Sequence, residues 1–360
     1  MDAGFQSINY KGNTVNGIAG NGSATSQINF RGTEDLGGGL TANFRVETDW
    51  STVSNYANQG VAASTNYTST ANSINGSNST FGNGEIRTGL AGGFGAVNFG
   101  AINYNSLNTF LTGQPFGTAI GSGFRTFYIN DAQGTSSVRA ENAINYVSPV
   151  FSGFNATLYK SNKQTLAKTV AASGSSTTGL ISQPNAFGGL GAYDQVGTQE
   201  IGVNYANGPL AASFSNLKQD FVGVSAPGSS LAAAGTAQYT VNTLGANYTF
   251  GAAKLFGLYQ TNKTDTNTVN NKAYSISGTY TMGAVVLMAQ FGELKNISDV
   301  KTKMWALGAD YNLSKRTAVY LRAESFDDKA GSVQAALTPA AIKGTDTTFA
   351  RTAVGIRHAF

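Results

Sequence analysis

His358 is the one histidine among 360 residues, and cysteine is absent. A Ser-His-Asp hydrolase or a His-ligated metal centre would have to be assembled around this residue near the chain end. Disulfides and thiolate metal sites are excluded, although the missing cysteines suit several compartments. Paired acids at Glu34–Asp35 and Asp327–Asp328 lie in connections, where solvation accounts for them, and no spaced calcium-ligand motif accompanies them. The stretch "GNG" (82–84) precedes no helical pattern and lacks the Lys-Ser/Thr of a phosphate loop. What the chain does offer is fixed charge of both signs: Arg31, Arg45, Glu47, Asp49, Glu85, Arg87, Arg139, Glu141, Arg322, Glu324, Arg351 and Arg357. Such groups act on passing ions through their field and make no bond.

The elements that carry these charges alternate. In "LTANFRVETDW" (40–50), Leu40, Ala42, Phe44, Val46 and Trp50 share one parity, and Thr41, Asn43, Arg45, Glu47 and Asp49 share the other. In "KMWALGADYNL" (303–313), Trp305, Leu307, Ala309, Tyr311 and Leu313 form the apolar set. The terminal "RTAVGIRHAF" (351–360) puts Val354, Ile356, His358 and Phe360 together. A period of two is a strand. Similar segments recur near 85–91, 96–103, 140–147, 154–160, 200–206, 210–218, 239–250, 253–260, 273–282, 284–294 and 317–325.

Composition turns this into an environment. Charged residues are 12% of the chain, about half the usual share, against 45 Gly, 21 Phe and 16 Tyr. No stretch approaches 18 consecutive apolar residues, so ordinary transmembrane helices are excluded. The mean hydropathy of −0.14 does not exclude a transmembrane β-barrel, which faces lipid with every second residue only. The net charge of +4 comes without a basic run, so nucleic acid is not an expected partner.

Short connections ("TEDLGGG", "AGGFG", "SPVFSG", "NGP", "GA", "GA", "SK") take turns with long polar ones near 51–84, 104–138, 161–199, 219–238, 261–272, 295–302 and 326–346. Short turns on one side and long loops on the other are the plan of a barrel inserted from one face of a membrane. The expected fold class is all-β: one domain over 1–360, a sixteen-stranded antiparallel transmembrane barrel with low helix content and one short helix inside 104–138. The apolar parity then faces lipid and the charged parity the lumen, since an arginine on the lipid face at mid-membrane costs about 2–4 kcal/mol. Tyr146, Tyr205, Tyr248, Phe250, Tyr280, Trp305 and Tyr311, near strand ends, are expected to form interfacial girdles.

Six stretches, in order over nearly the whole chain, carry a resemblance: "FRGTEDLGGGL" (30–40), "VRAENAINYVSPVFSGFNA" (138–156), "NYANGPLAAS" (204–213), "LGANYTFGAAKLFG" (244–257), "YNLSKRTAVY" (311–320) and "VGIRHAF" (354–360). They are similar to the general porins of Gram-negative outer membranes, in their β-proteobacterial branch. That resemblance implies a homotrimer in outer-membrane lipid and lipopolysaccharide, with the third loop, 104–138, folded inward to narrow the pore. It implies that Phe360, Ile356 and Val354 are read by the outer-membrane assembly machinery. It also puts Arg139 beside the constriction and the loop charges Arg125 and Asp131 opposite the wall. Ala101 and Gln27 stand where related chains often have arginine, and the loop carries few acids, so weak and slightly anion-leaning selectivity is expected. Met1 stands where such porins have earlier residues of their first strand, so a short first strand is expected.

The expected function is passive diffusion of ions and small hydrophilic solutes, with no cofactor, no metal and no catalysis. Arg139, Arg125, Arg45, Arg87 and Arg322 would act against Asp131, Glu47, Glu141 and Glu324. Three alternatives remain open. A substrate-specific porin for a sugar or organic anion would show saturable block of ion current. A secreted β-rich adhesin would be soluble without detergent, against which the apolar alternate faces weigh. An outer-membrane barrel enzyme would need a His-centred site.

Overall fold

The computed structural model describes residues 1–10, 12–53, 81–124, 126–128, 138–161, 193–223, 236–266, 269–330 and 347–360. Among these described residues, seventeen antiparallel strands form one sheet. The first half of the chain gives β1 (Asp2–Tyr10), β2 (Asn13–Gly20), β3 (Gln27–Gly37), β4 (Leu40–Asp49), β5 (Ile86–Gly92), β6 (Gly95–Asn103), the helix α1 (Asn105–Thr112), β7 (Arg139–Val147) and β8 (Phe154–Ser161). The second half gives β9 (Tyr193–Asn207), β10 (Leu210–Gly223), β11 (Thr236–Phe250), β12 (Ala253–Thr264), β13 (Asn270–Met282), β14 (Val285–Lys295), β15 (Lys301–Asn312), β16 (Thr317–Asp328) and β17 (Thr348–His358). Among the described residues no helix is long and apolar enough to cross a membrane.

Pairing runs in chain order from β3 to β17, and β17 then meets β1 from Asp2↔Arg357 to Tyr10↔Phe349. The first strand is nine residues long and covers most of β17. The strand beyond the expected sixteen is β2, which folds back on β1 from Tyr10↔Asn13 to Ala3↔Gly20. Among the described residues no ladder joins β2 to β3. That seam is bridged by Asp2 instead. Its carboxylate accepts the amides of Gly22, Ser23 and Ala24 at 3.1, 2.8 and 2.8 Å and the Tyr320 hydroxyl at 2.7 Å. Its own amide donates to Ser26 Oγ at 2.8 Å.

The short turns are built as their sequences require. In "DLGGGL", Gly37, Gly38 and Gly39 have φ of 82, 62 and 80°; three left-handed positions in a row need three residues without a Cβ. The Asp35 carboxylate accepts the Gly37 amide at 2.9 Å and fixes the entry to that turn. The long connections near 51–84, 161–199, 219–238 and 326–346 fall largely outside the described residues.

The two parities separate cleanly. In β15, Trp305, Leu307 and Tyr311 are 49, 55 and 51% exposed, whereas Met304 and Ala306 are 1% exposed. Leu244, Leu255, Ile276, Leu287, Leu321, Val354 and Ile356 continue the exposed apolar set across β11–β17. A band of that extent is far beyond what a water-facing surface carries and marks a lipid-facing one. Tyr146, Tyr205, Tyr248, Phe250, Tyr280 and Tyr311 lie close to the short-turn ends of their strands, with ring pairs at 4.4 Å for Phe154–Tyr205 and Tyr248–Phe250. Trp305 lies towards the opposite end of β15.

Candidate functional site: the constriction

The core of the molecule is the third loop pressed against the inside of the wall. The expected helix is present as α1, which packs on β9, β10 and β11. Its first amides, of Asn105 and Ser106, donate to the two Glu200 carboxylate oxygens at 2.5 and 2.6 Å. A carboxylate there satisfies helix-terminal N–H groups and complements the positive end of the dipole. Close approach needs a bare wall: a Cβ on Gly245 would sit 2.1 Å from the Thr109 carbonyl oxygen. Thr109 Oγ1 lies 2.6 Å from Ser213 Oγ, and Asn247 Nδ2 donates to the Thr112 carbonyl at 2.8 Å.

Beyond α1 the loop is held by grease rather than charge. Phe116 and Phe127 enter an apolar cluster with Met288, Met304, Phe326 and Phe349, each such side chain contributing about 1.5–3 kcal/mol when buried. A Cβ on Gly292 would meet the Phe127 ring at 2.3 Å, so that glycine is the socket. Two polar links fix the register: Gly121 N–H donates to Glu324 Oε2 at 2.6 Å, and Gln290 Nε2 donates to the Ser122 carbonyl at 3.0 Å.

The wall that remains free of the loop carries the charges. Arg31 on β3 is the register partner of Arg45 on β4, and Arg45 is the partner of Arg87 on β5. Three like charges in a row repel, and two carboxylates thread between them. Glu85 pairs with Arg45 at 2.7 Å and with Arg87 at 3.6 Å. Glu47 pairs with Arg45 and, at 3.7 Å, with Arg139. Arg139 also donates from Nε to Asn103 Oδ1 at 3.0 Å and from Nη1 to the Asn83 carbonyl at 2.8 Å. Gln27, where related chains often have arginine, donates its amide to Glu47 and Asp49 at 3.0 and 2.9 Å.

Of the residues singled out from sequence, Arg45, Glu47, Arg87 and Arg139 therefore form one network. Arg322 and Glu324 belong to two further pairs. Arg322, 3% exposed, pairs with Asp310 at 2.7 Å, while Glu324 is buried between Arg351 and the Gly121 amide. Glu141 lies at an irregularity of the ladder. Glu141 and Asn142 together oppose the single residue Ala101, since Gly100 pairs with Ala143 and Ile102 with Ala140. That bulge breaks the alternation, and Glu141 lines neither cavity described below. Arg125 and Asp131 lie outside the described residues. Asp310 and Glu200 are the carboxylates that sequence reasoning left off the site; both stand on the polar parity of their strands, which was their only signal, and Glu85, read only as a lumen-facing charge, lies just before β5.

Two cavities follow one another along the lumen. One, of about 1000 Å³, touches Gln27, Arg45, Leu107, Val286, Asp310 and Arg357, so it is enclosed by β3, β4, the third loop and β14–β17. The other, of about 1250 Å³, lies on the short-turn side. Its charged side chains are Arg31, Arg45, Arg87, Lys315, Arg316 and Arg357; none of the described residues lining it is Asp or Glu. His358 at its edge shares a hydrogen bond of 2.8 Å with Thr317 Oγ1 and packs edge-on against Phe360. At the other mouth Lys295 donates to Asp299 at 2.6 Å, and that bond with the ammonium charge holds the Asp299 carboxyl below the usual carboxylate range.

A sheet with an apolar exterior, a charged lumen and an inward loop is a channel. Residues 1–331 match the family model described as Gram-negative porin. The chain belongs to the Gram-negative porin family. It is an outer-membrane β-barrel channel for small solutes, and it is not an enzyme. Outer membrane porin protein 32 of Delftia acidovorans is 28% identical, over 97% of this porin and 88% of that protein. The solved anion-selective porin from Comamonas acidovorans superposes with a TM-score of 0.74 at 26% identity, covering 100% of this porin and 97% of that chain. OmpT of Vibrio cholerae in its trimer form shares the fold at a TM-score of 0.63 and 14% identity, covering 99% of this porin and 98% of that chain.

Proposed function

We propose that the channel passes small hydrophilic solutes by diffusion through one domain spanning 1–360, and favours anions mildly. The observation that carries the sign is the short-turn-side cavity, whose described lining holds six cationic side chains and no carboxylate side chain. Arg139, Arg45, Arg87 and Arg322 set the field, with Arg125 added from the loop. Glu47 and Asp131 oppose it, with Glu85 joining them and Glu141 and Glu324, which line neither cavity, acting at longer range; the ion pairs of Arg45, Arg87 and Arg139 keep the preference mild. Fixed charge in a narrow aqueous lumen acts on permeation and not on chemistry. The anion selectivity of the Comamonas porin supports the same sign. Reconstitution in a planar bilayer under a potassium chloride gradient tests it: a small reversal potential towards the chloride value is expected, and one towards potassium would overturn the sign.

The working unit we propose is a homotrimer, supported by the trimer form of the Vibrio porin of the same fold. Conductance steps in units of three would agree, and persistent single steps would not. Val354, Ile356 and Phe360 are 55, 47 and 90% exposed on the outward parity, which suits their reading by the assembly machinery. The exposed apolar band suits contact with lipid and lipopolysaccharide. Phe360→Ser is expected to lower insertion in cells while leaving folding in detergent unchanged.

A further inference from the structure

The helix α1 buries Phe110 together with Asn105, Ser106 and Thr109, yet Leu107 is only half-buried and Leu111 is 39% exposed, one turn apart on the side that faces the lumen. A leucine left open there forgoes the burial that Phe110 gains. Much of the inner wall is polar, with Asn98, Asn145, Ser213, Thr243 and Gln260 on it, and its apolar side chains Met288, Met304, Phe326 and Phe349 are covered by the loop. Pro115, Phe256 and Val286 line the same cavity as the two leucines, and the charged arc of that cavity is net basic, with Arg45, Arg139, Arg322, Arg351 and Arg357 against Glu47, Asp49 and Asp310. Among the described residues the loop stretches 104–124 and 126–128 contain no charged side chain.

We propose that the constriction binds small organic anions with a flat apolar body, of the aromatic monocarboxylate class. The carboxylate is taken by guanidinium groups of the basic arc, whose planar N–H donors match it. The ring lies against Leu111, Leu107 and Pro115, which water wets poorly. Neither half alone holds the solute: a small carboxylate lacks the apolar contact, and a neutral ring lacks the charge. This rests on the anion-leaning channel proposed above and adds a solute class to it.

The test uses the full chain in planar bilayers, with benzoate, acetate and benzyl alcohol added singly to a constant chloride background. Benzoate is expected to reduce chloride current saturably, and acetate or benzyl alcohol at equal concentration to do so far less. Leu111→Ser changes a side chain already exposed, so folding is preserved. It is expected to raise the half-blocking benzoate concentration roughly fivefold, the effect of losing one to two methylene contacts, with the chloride-to-potassium ratio unchanged. The double variant Leu107→Ser/Leu111→Ser is expected to abolish the difference between benzoate and acetate. Equal block by benzoate and acetate in the parent channel, or an unaltered half-blocking concentration in Leu111→Ser, would overturn the proposal. The reversal potential in the same bilayer separates the two levels: a chloride-leaning channel without benzoate block loses the solute class alone, and a potassium-leaning one loses the underlying sign.

Discussion

Arg45 stands directly across from Arg87 on the neighbouring strand, and Glu85 reaches both guanidinium groups. One carboxylate thus cancels part of two positive charges on the wall of the channel. Glu85→Gln is expected to release that charge and raise chloride over potassium permeability. A unit charge acting through water at about 8 Å contributes about 0.5 kcal/mol, hence roughly a twofold change in the ratio. Reversal potentials of parent and variant measure it, and a shift towards potassium would contradict the assignment.

Arg139→Gln is the opposite experiment. Its guanidinium pairs with Glu47 at 3.7 Å and remains partly exposed. Removing it should move selectivity towards cations by a similar factor of about two, with the thermal midpoint in detergent nearly unchanged. An unaltered permeability ratio would remove Arg139 from the conducting site.

Gly245→Leu probes the seat of the helix. Even a Cβ there meets the Thr109 carbonyl at 2.1 Å and the Gly113 amide nitrogen at 2.9 Å, both backbone atoms that cannot rotate away. Overpacking of this kind costs about 1–3 kcal/mol, and the strain is relieved by pushing α1 into the lumen. Single-channel conductance should fall while trimer steps persist. A variant with parent conductance would mean the helix has room that the structure does not provide.

Glu324→Ala removes the partner of Arg351 and of the Gly121 amide together. Breaking one side of a buried pair costs about 3–5 kcal/mol, so the protein should unfold at lower temperature in detergent. The loop should also loosen, because Gly121 loses its acceptor. Excess current noise in the open state is the readout specific to that second effect. Lower stability with quiet channels would make Glu324 a wall residue alone.

The alternation in residues 303–313 and 351–360 was enough to draw β15 and β17 and to say which side chains meet lipid, because pleat and bilayer enforce the same period. The parity also brought Arg45, Glu47, Arg87 and Arg139 to one face. It was less informative about partners: Glu85 and Glu47 bridge the arginines because strand register brings them together, and register is not written in any one segment. The bulge at Ala101 displaced Glu141 for a similarly local reason. Strand β2 was not legible, since "NTVNGIAG" is short, polar and glycine-containing and gains its pairing from β1 alone. The anchoring of the loop was invisible too. Met304 and Phe326 are apolar residues on the inward parity because Phe116 and Phe127, some 170–210 positions away in sequence, pack against them.

The carboxylate of Asp2 and the hydroxyl of Tyr320 meet across 318 positions of chain, and the Met1 ammonium meets the His358 carbonyl across 357. Every other ladder from β3 onwards joins consecutive strands and can form as soon as its hairpin does. Loop closure scales as (3/2)RT ln n, so joining ends 318 apart stands about 3 kcal/mol above closing a ten-residue hairpin. The first strand must therefore wait for the last. Until the final hairpin is made, β1 and β2 form a detached hairpin, with Asp2 and the inner edge of β17 both looking for partners. Assembly of this protein thus ends in a single slow event that couples the two extremities, and the speed of that event, more than the strength of any hairpin, sets how long an unsealed edge is exposed to its surroundings.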